Sequence, residues 1–139
     1  MKPDAMNSAA LAVPITALYS GVLALLMVML ALGVIRLRWK FRVGLGDGGE
    51  KAMTRAIRIH GNAAEHVPVA LLLMLVAELN HARPALLHGC GTVLVVARVL
   101  HASGLSRSAG ASWQRAVGTV GTVGVIVTLA AADIAAFFL

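Results

Sequence analysis

The N-terminal quarter of the chain contains a long stretch without a charged side chain. From Ala5 to Ile35 there is no Asp, Glu, Lys or Arg, and a helix needs only about 20 such apolar residues to cross a bilayer. A basic run follows the stretch directly, in place of the cleavage site that ends a secretory signal. We therefore expect a first membrane-spanning helix that is not removed.

The composition also favours a membrane protein. Of the 139 residues, 59% are hydrophobic, and the mean hydropathy of +0.85 is too high for an ordinary soluble domain. A net charge of +6 could indicate nucleic-acid binding, but only 4% of residues are aromatic and the basic residues flank apolar segments. The single cysteine, Cys90, lies in an apolar run, which favours an inert buried thiol. We exclude a nucleic-acid partner.

Turn residues divide the rest of the chain into three further apolar segments. We predict an all-α integral membrane protein, a bundle of four transmembrane helices in a single domain covering residues 1–139. The predicted helices are at about 9–35, 52–79, 85–103 and 113–138.

Glycines stand out at two places. The segment Gly44–Glu50 matches a dinucleotide-binding pattern, but an apolar helix precedes it instead of a strand, so we interpret its glycines as loop residues. Gly118, Gly121 and Gly124 are spaced by three in the last helix and predict a close approach of another helix.

Basic residues are unequally divided between the two ends of the spans. Ten of the twelve Lys and Arg lie around the first and third connections, and only Lys2 and Arg83 lie on the opposite side. Cytoplasmic loops carry an excess of such residues. We therefore expect both termini on the non-cytoplasmic side and the basic end at the cytoplasm.

The second helix carries a polar face. At about 100° per residue, five polar side chains fall within an arc of about 100°: Arg55, Arg58, Asn62, Glu65 and His66. Such a face predicts a polar, anionic ligand. A carboxylate within a span costs several kcal/mol unless it is paired or hydrated, so Glu65 indicates a site or an internal ion pair. Arg55 by itself is explained as a positive-inside anchor.

The third helix adds a smaller polar patch. Arg98 and His101 are three residues apart and are therefore neighbours on one surface. Arg98 has two open interpretations, a ligand contact or an ion pair with Glu65 that locks two helices together. No cluster of histidines and carboxylates has the spacing of a metal site, and we expect no metal. Surface exposure is sufficient to explain Glu78.

The segment RIHGNAAEHVP, from Arg58 to Pro68, resembles the signature of the MAPEG family, membrane-associated proteins in eicosanoid and glutathione metabolism. Phe41-Arg42-Val43 and Ala97-Arg98 are similar to segments at matching places in the family's leukotriene-forming synthase. The resemblance covers most of the chain. It implies a bacterial-type member in the inner membrane, and a homotrimer that holds glutathione between neighbouring subunits near the cytoplasmic side.

The resemblance also implies roles for individual residues. The implied glutathione-binding positions are Arg38, Arg58, His60, Asn62, Glu65, His66, Arg98 and His101. Arg115 and Arg38 are the implied catalytic residues, and the family's thiol-activating arginine falls on Ser112 by ungapped matching. Family tyrosines are replaced by His66, His101 and Leu105. The implied activity is a glutathione transferase or peroxidase, with glutathione as co-substrate and a lipophilic electrophile as second substrate.

Two other functions remain open from the residues. A small proton-coupled exporter could use Glu65 as its proton carrier, although the arginines on the same face would repel a cationic substrate. A non-catalytic membrane scaffold would need Glu65 only to neutralise Arg98.

Overall fold

The computed structural model describes residues 13–107 and 113–138, apart from the side chains of residues 105–107. This part of the chain contains four helices and no strand. They are α1 (Pro14–Phe41), α2 (Lys51–Leu79), α3 (Pro84–Arg107) and α4 (Trp113–Phe138). Each is long and apolar enough to span a membrane. The predicted all-helical membrane fold is confirmed.

Two helix ends differ from the predicted bounds. α1 continues to Phe41 instead of ending at Ile35, and α3 continues to Arg107. The basic run after Ile35 remains helical because long straight side chains favour the helix and their positive charge suits its C-terminus. α1 ends where Arg42 adopts a left-handed conformation with φ 54°. The predicted start of α1 near residue 9 lies outside the described residues.

α2 and α3 form the middle of the bundle. α1 and α4 each contact both of them, and α1 and α4 do not contact each other in the described part of the chain. Successive helices run in opposite directions. We call the end that holds the α1–α2 loop and the start of α4 the basic end, and the end that holds the start of α1 and the α2–α3 turn the far end.

The α1–α2 loop at the basic end requires glycine. Gly46, Gly48 and Gly49 have positive φ, and a Cβ on Gly48 would overlap the Val43 side chain at 2.5 Å. Asp47 orders the loop by accepting hydrogen bonds from the Thr54 hydroxyl (2.7 Å) and the Gly49 amide (3.0 Å). The same hydrogen bonds hold the pKa of the Asp47 carboxyl below its ordinary value. The interpretation of the glycines as loop residues agrees with this geometry.

The far end is held by Glu78. Its carboxylate accepts hydrogen bonds from the amides of Ile15 (2.9 Å) and Thr16 (2.7 Å). These amides belong to the first turn of α1, where N–H groups have no partner within the helix. Our explanation of Glu78 by surface exposure was therefore wrong. The last turn of α2 packs beside the start of α1, so that one helix caps another.

The glycines of α4 differ in their surroundings. A Cβ on Gly118 would lie 2.5 Å from the Ala97 carbonyl oxygen and 2.8 Å from the His101 amide, and a Cβ on Gly121 would lie 3.1 Å from the Ala97 Cβ. A Cβ on Gly124 would meet nothing within 4 Å. The predicted close approach therefore holds for the first two glycines, which face α3.

These surroundings predict opposite effects for two equal substitutions. We expect Gly118→Ala to destabilise the protein by about 1–3 kcal/mol, since the new methyl must displace backbone atoms of α3. Gly124→Ala should leave the stability unchanged or raise it slightly, because alanine favours the helix. Thermal unfolding in detergent measures both. Equal melting temperatures would contradict the α3–α4 packing.

Candidate basic pocket

A pocket of about 330 Å³ lies at the basic end between α2, α3 and α4. We call it the basic pocket. Its lining residues are Thr54, Arg55, Arg58, Asn62, His101, Arg115 and Thr119. The polar face of α2 supplies one wall, and α4 supplies the opposite one through Arg115 and Thr119. The structure thus brings together four of the predicted site residues: Arg58, Asn62, His101 and Arg115.

The charged side chains that line the basic pocket are all positive. Three guanidiniums, those of Arg55, Arg58 and Arg115, line it, and no carboxylate of the described residues does. Guanidinium groups bind carboxylates and phosphates through paired, charge-assisted hydrogen bonds. The pocket therefore suits an anion with at least one carboxylate or phosphate.

Arg98 lies behind the pocket wall and not in it. Its side chain is only 3% exposed, and it donates to the Asn62 Oδ1 at 2.6 Å and to the Gly118 carbonyl at 3.1 Å. One guanidinium thereby joins α2, α3 and α4. The Nε of Arg98 has no hydrogen-bond partner among the described residues.

This bond determines how Asn62 faces the pocket. A guanidinium can only donate, so the atom of Asn62 that receives its hydrogen bond must be the carbonyl oxygen. The amide nitrogen of Asn62 is then left to face other groups. Since Asn62 lines the basic pocket, it presents a further donor to an anionic or carbonyl-bearing ligand.

Glu65 and His66 lie one turn further along α2 and do not line the basic pocket. The Nδ1 of His66 donates to the backbone carbonyl of Asn62 at 2.8 Å. In the neutral ring, the Nε2 of His66 is then an acceptor. Glu65 is exposed on the surface of the chain. Within residues 13–107 and 113–138, Arg98 bonds to Asn62 and Gly118, so the ion pair between Arg98 and Glu65 is not formed.

Arg38 does not line the basic pocket and contacts the α1–α2 loop. Its Nη1 donates to the carbonyls of Val43 (3.4 Å), Gly44 (3.1 Å) and Gly46 (3.3 Å). It therefore stabilises the α1–α2 loop and lines a separate recess. His60 is half-buried and does not line the basic pocket. Ser112 lies outside the described residues.

Three of the lining residues are not among the predicted site residues. The sequence explains Arg55 as a positive-inside anchor, yet it lines the basic pocket with Arg58. Thr54 borders the same helical face, and Thr119 follows Arg115 by four residues, which places the two on one face of α4. That spacing could have indicated Thr119. The partner helix for each face is set by tertiary packing.

The chain matches the model of the MAPEG family over residues 16–135. The chain belongs to the MAPEG family. This match includes most of all four helices and confirms the resemblance carried by the segment from Arg58 to Pro68.

Two curated proteins from one species are similar to this chain. The chain is 46% identical over 87 residues to the inner membrane protein YecN of Escherichia coli strain K12 and to the protein of the same name from Escherichia coli O6:H1 strain CFT073. The match covers 63% of this chain and 66% of each relative, slightly under two thirds of their length. Their name gives a location and no activity. With the four apolar helices, it supports an integral membrane protein.

The burial of Arg98 predicts a structural effect in the absence of any ligand. We expect Arg98→Met to lower stability by about 1–3 kcal/mol, because the acceptors on Asn62 and Gly118 lose their donor inside the bundle. Arg83→Met, at an exposed position, is the matched control and should have no such effect. Thermal unfolding of the ligand-free protein measures both. An unchanged melting temperature for Arg98→Met would contradict this structural role and would favour the interpretation of Arg98 as a ligand contact.

Proposed function

We propose that this protein binds glutathione in the basic pocket and uses it as a glutathione transferase or peroxidase for lipophilic electrophiles. The observation that supports this most is the set of three guanidiniums, from Arg55, Arg58 and Arg115, around one pocket in a member of the MAPEG family. Glutathione carries two carboxylates, and each can take a paired hydrogen bond from a guanidinium.

The remaining groups of glutathione also have chemical partners. The amide nitrogen of Asn62 can donate to a peptide carbonyl of the ligand. The ligand's ammonium needs an acceptor, and Glu65 is one turn from Asn62 on the exposed side of α2. A second copy of the chain packed on this side would enclose both residues. We therefore include the homotrimer, with glutathione between subunits, in the proposal.

The proposal includes an orientation in the membrane. Ten of the twelve Lys and Arg belong to the basic end, which favours the cytoplasmic side for that end and the opposite side for both termini. Cytoplasmic glutathione would then reach the basic pocket directly. A lipophilic electrophile would arrive from the bilayer.

The chemistry would begin with the thiol of glutathione. A free thiol has a pKa of about 8.5, and nearby positive charge favours the thiolate at neutral pH. We assign this role to Arg115. The thiolate attacks an electrophilic carbon, the new C–S bond forms, and the leaving group departs with the bonding electrons.

With a hydroperoxide the same thiolate attacks the terminal oxygen. The O–O bond breaks, and the departing alkoxide takes a proton from water to give the alcohol. The glutathione sulfenic acid that remains is reduced by a second glutathione to the disulfide and water. His101 and the three guanidiniums line the pocket in which this charge would develop, and the chain's only tyrosine is at the far end.

One observation favours the proton-coupled exporter as a second candidate. Glu65 makes no hydrogen bond or ion pair within the described part of its own chain, as expected for a carboxylate that exchanges a proton. The adjacent arginines oppose a cationic substrate, so we place the exporter second.

The binding proposal predicts which substitutions weaken glutathione binding and which leave it unchanged. Arg58→Gln should weaken glutathione binding by about tenfold or more, because hydrogen bonds between charged groups contribute about 1.5–3 kcal/mol. Glu65→Gln should weaken it through the ligand's ammonium. Lys51→Gln is the control, since this exposed lysine at the start of α2 does not line the pocket. Calorimetric titration of the detergent-solubilised protein measures each constant.

Absence of glutathione binding by the wild type would refute the proposal. Unchanged glutathione binding in Glu65→Gln, combined with loss of proton-driven dye transport in vesicles, would favour the exporter.

The catalytic proposal predicts an effect that depends on pH. In Arg115→Ala the bound thiol should titrate near its ordinary pKa of about 8.5, so activity at pH 7 should fall about tenfold or more and should approach the wild type above pH 9. Arg38→Ala should change turnover less, because Arg38 bonds to the loop carbonyls. Conjugation of glutathione to a small aromatic electrophile measures both profiles. A wild-type pH profile for Arg115→Ala would show that Arg115 does not activate the thiol. Glutathione binding without conjugation or peroxidase activity would refute the proposed enzymatic activity.

A further inference from the structure

The basic pocket is lined mostly by hydrogen-bond donors. Its guanidiniums can only donate, and Asn62 turns its amide nitrogen to the pocket because its carbonyl oxygen accepts from Arg98. A ligand that carries N–H groups beside its carboxylates also needs acceptors on the same walls. Besides the imidazole of His101, the lining residues with an acceptor atom to spare are Thr54 and Thr119, since a hydroxyl can donate or accept.

The hydroxyl proton of Thr54 is turned away from the pocket. Thr54 donates to the Oδ2 of Asp47 at 2.7 Å, and the other acceptor within reach is the backbone carbonyl of Glu50 at 3.2 Å. Neither of these acceptors lines the basic pocket. A hydroxyl has one proton and two lone pairs, so the oxygen of Thr54 presents only lone pairs to a ligand.

The α1–α2 loop holds Asp47 in place for this contact. The other carboxylate oxygen, Oδ1, accepts from the Gly49 amide at 3.0 Å, in a loop where Gly46, Gly48 and Gly49 have positive φ. The two hydrogen bonds hold the pKa of Asp47 below its ordinary value, so the group stays negatively charged at neutral pH. A charged acceptor strengthens the hydrogen bond from Thr54, and a hydroxyl that donates strongly becomes a better acceptor.

We propose that Thr54, positioned by Asp47, accepts a hydrogen bond from an N–H that lies next to a carboxylate of the ligand. This inference rests on the function proposed above and names the group of glutathione concerned, the amide N–H of its glycyl unit. Thr54 and Arg58 are four residues apart and are therefore neighbours on one face of α2. Arg58 binds the glycyl carboxylate, and Thr54 accepts from the nitrogen bonded to the same carbon.

This arrangement makes the basic pocket selective among anions. A simple dicarboxylate offers the guanidiniums the same negative charge, but it has no N–H and sets an oxygen against the lone pairs of Thr54. A site built to hydrogen-bond one group rejects analogues that lack it, because its own polar atom is then left unpaired. Thr54 is therefore a specificity-determining residue, and Asp47 is a positioning residue that acts through it.

An analogue of glutathione with glycolate in place of glycine tests the contact. This glycolate analogue keeps both carboxylates, the ammonium and the thiol, and exchanges only the glycyl N–H for an ester oxygen. In calorimetric titration of the detergent-solubilised full-length protein, the wild type should bind glutathione about tenfold more tightly than the glycolate analogue, because the ester oxygen meets a lone pair of Thr54.

Three variants locate the preference in one hydroxyl. Thr54→Val keeps the shape of the side chain without its hydroxyl and should bind the two ligands within about twofold of each other. Thr54→Ser keeps the hydroxyl and should keep the preference of about tenfold. Thr119→Val is the matched control, since it removes the hydroxyl on the α4 wall of the same pocket, and it should also keep the preference.

Asp47→Asn tests the positioning role with a side chain of equal size. The Gly49 amide needs an acceptor, so the oxygen of the new amide stays on Gly49 and its N–H group faces Thr54. The Thr54 hydroxyl then loses its charged acceptor, and the preference for glutathione should fall below about threefold. A merely structural role of Asp47 would weaken the binding of both ligands by the same factor and would leave their ratio unchanged.

Equal affinity of the wild type for the two ligands would overturn this inference while glutathione binding stands. A preference of about tenfold that persists in folded Thr54→Val would overturn it as well, because the N–H would then be recognised elsewhere. If Thr54→Val does not fold, a wild-type preference in Asp47→Asn overturns it. Binding of neither ligand by the wild type would refute the proposed function, and this inference with it.

Discussion

The buried guanidinium of Arg98 is the interaction on which the basic end depends. A polar group without a partner costs several kcal/mol in an apolar interior, and Arg98 avoids most of this cost by donating to Asn62 and to the Gly118 carbonyl. The second acceptor is within reach because Gly118 has no side chain and α4 lies close to α3. The same carbonyl also accepts the Thr122 hydroxyl at 2.8 Å. The hydrogen bonds of Arg98 to Asn62 and to Gly118 therefore hold α2 and α4, the two walls of the basic pocket, in place.

The far end of the bundle is held by its own hydrogen bonds and lies far from the basic pocket. At the far end, the Tyr19 hydroxyl donates to the His88 carbonyl at 3.1 Å and lies 3.0 Å from the Thr92 hydroxyl, and its ring packs on Gly91. Glu78 caps α1 at the same end. Sixteen residues separate Asn62 from Glu78, about 24 Å along a helix. Tyr19 is therefore too distant to reach the basic pocket, which is lined by three guanidiniums and the imidazole of His101.

Hydropathy was sufficient to predict the four spans, because a bilayer demands long apolar helices whatever the packing. It did not predict the end of α1, since a helix can continue beyond the hydrocarbon into a basic segment. Periodicity predicted that Arg58 and Asn62 share a face. It could not show that α4 covers this face and brings Arg115 to it, so Arg55 was undervalued. Glu78 was misjudged for a related reason, because its partners are backbone amides in the first turn of α1, which only the tertiary structure brings within reach.

We propose above all that the basic pocket recognises the two carboxylates of glutathione. Comparing glutathione with its diethyl ester tests it most directly, because the ester keeps the thiol, the ammonium and the peptide groups and removes both negative charges. Calorimetric titration of the purified wild-type protein should give measurable binding of glutathione and binding of the ester that is weaker by at least about tenfold, as expected when charge-assisted hydrogen bonds to guanidiniums are lost. Equal affinity for the two ligands would contradict the account, as would binding of neither.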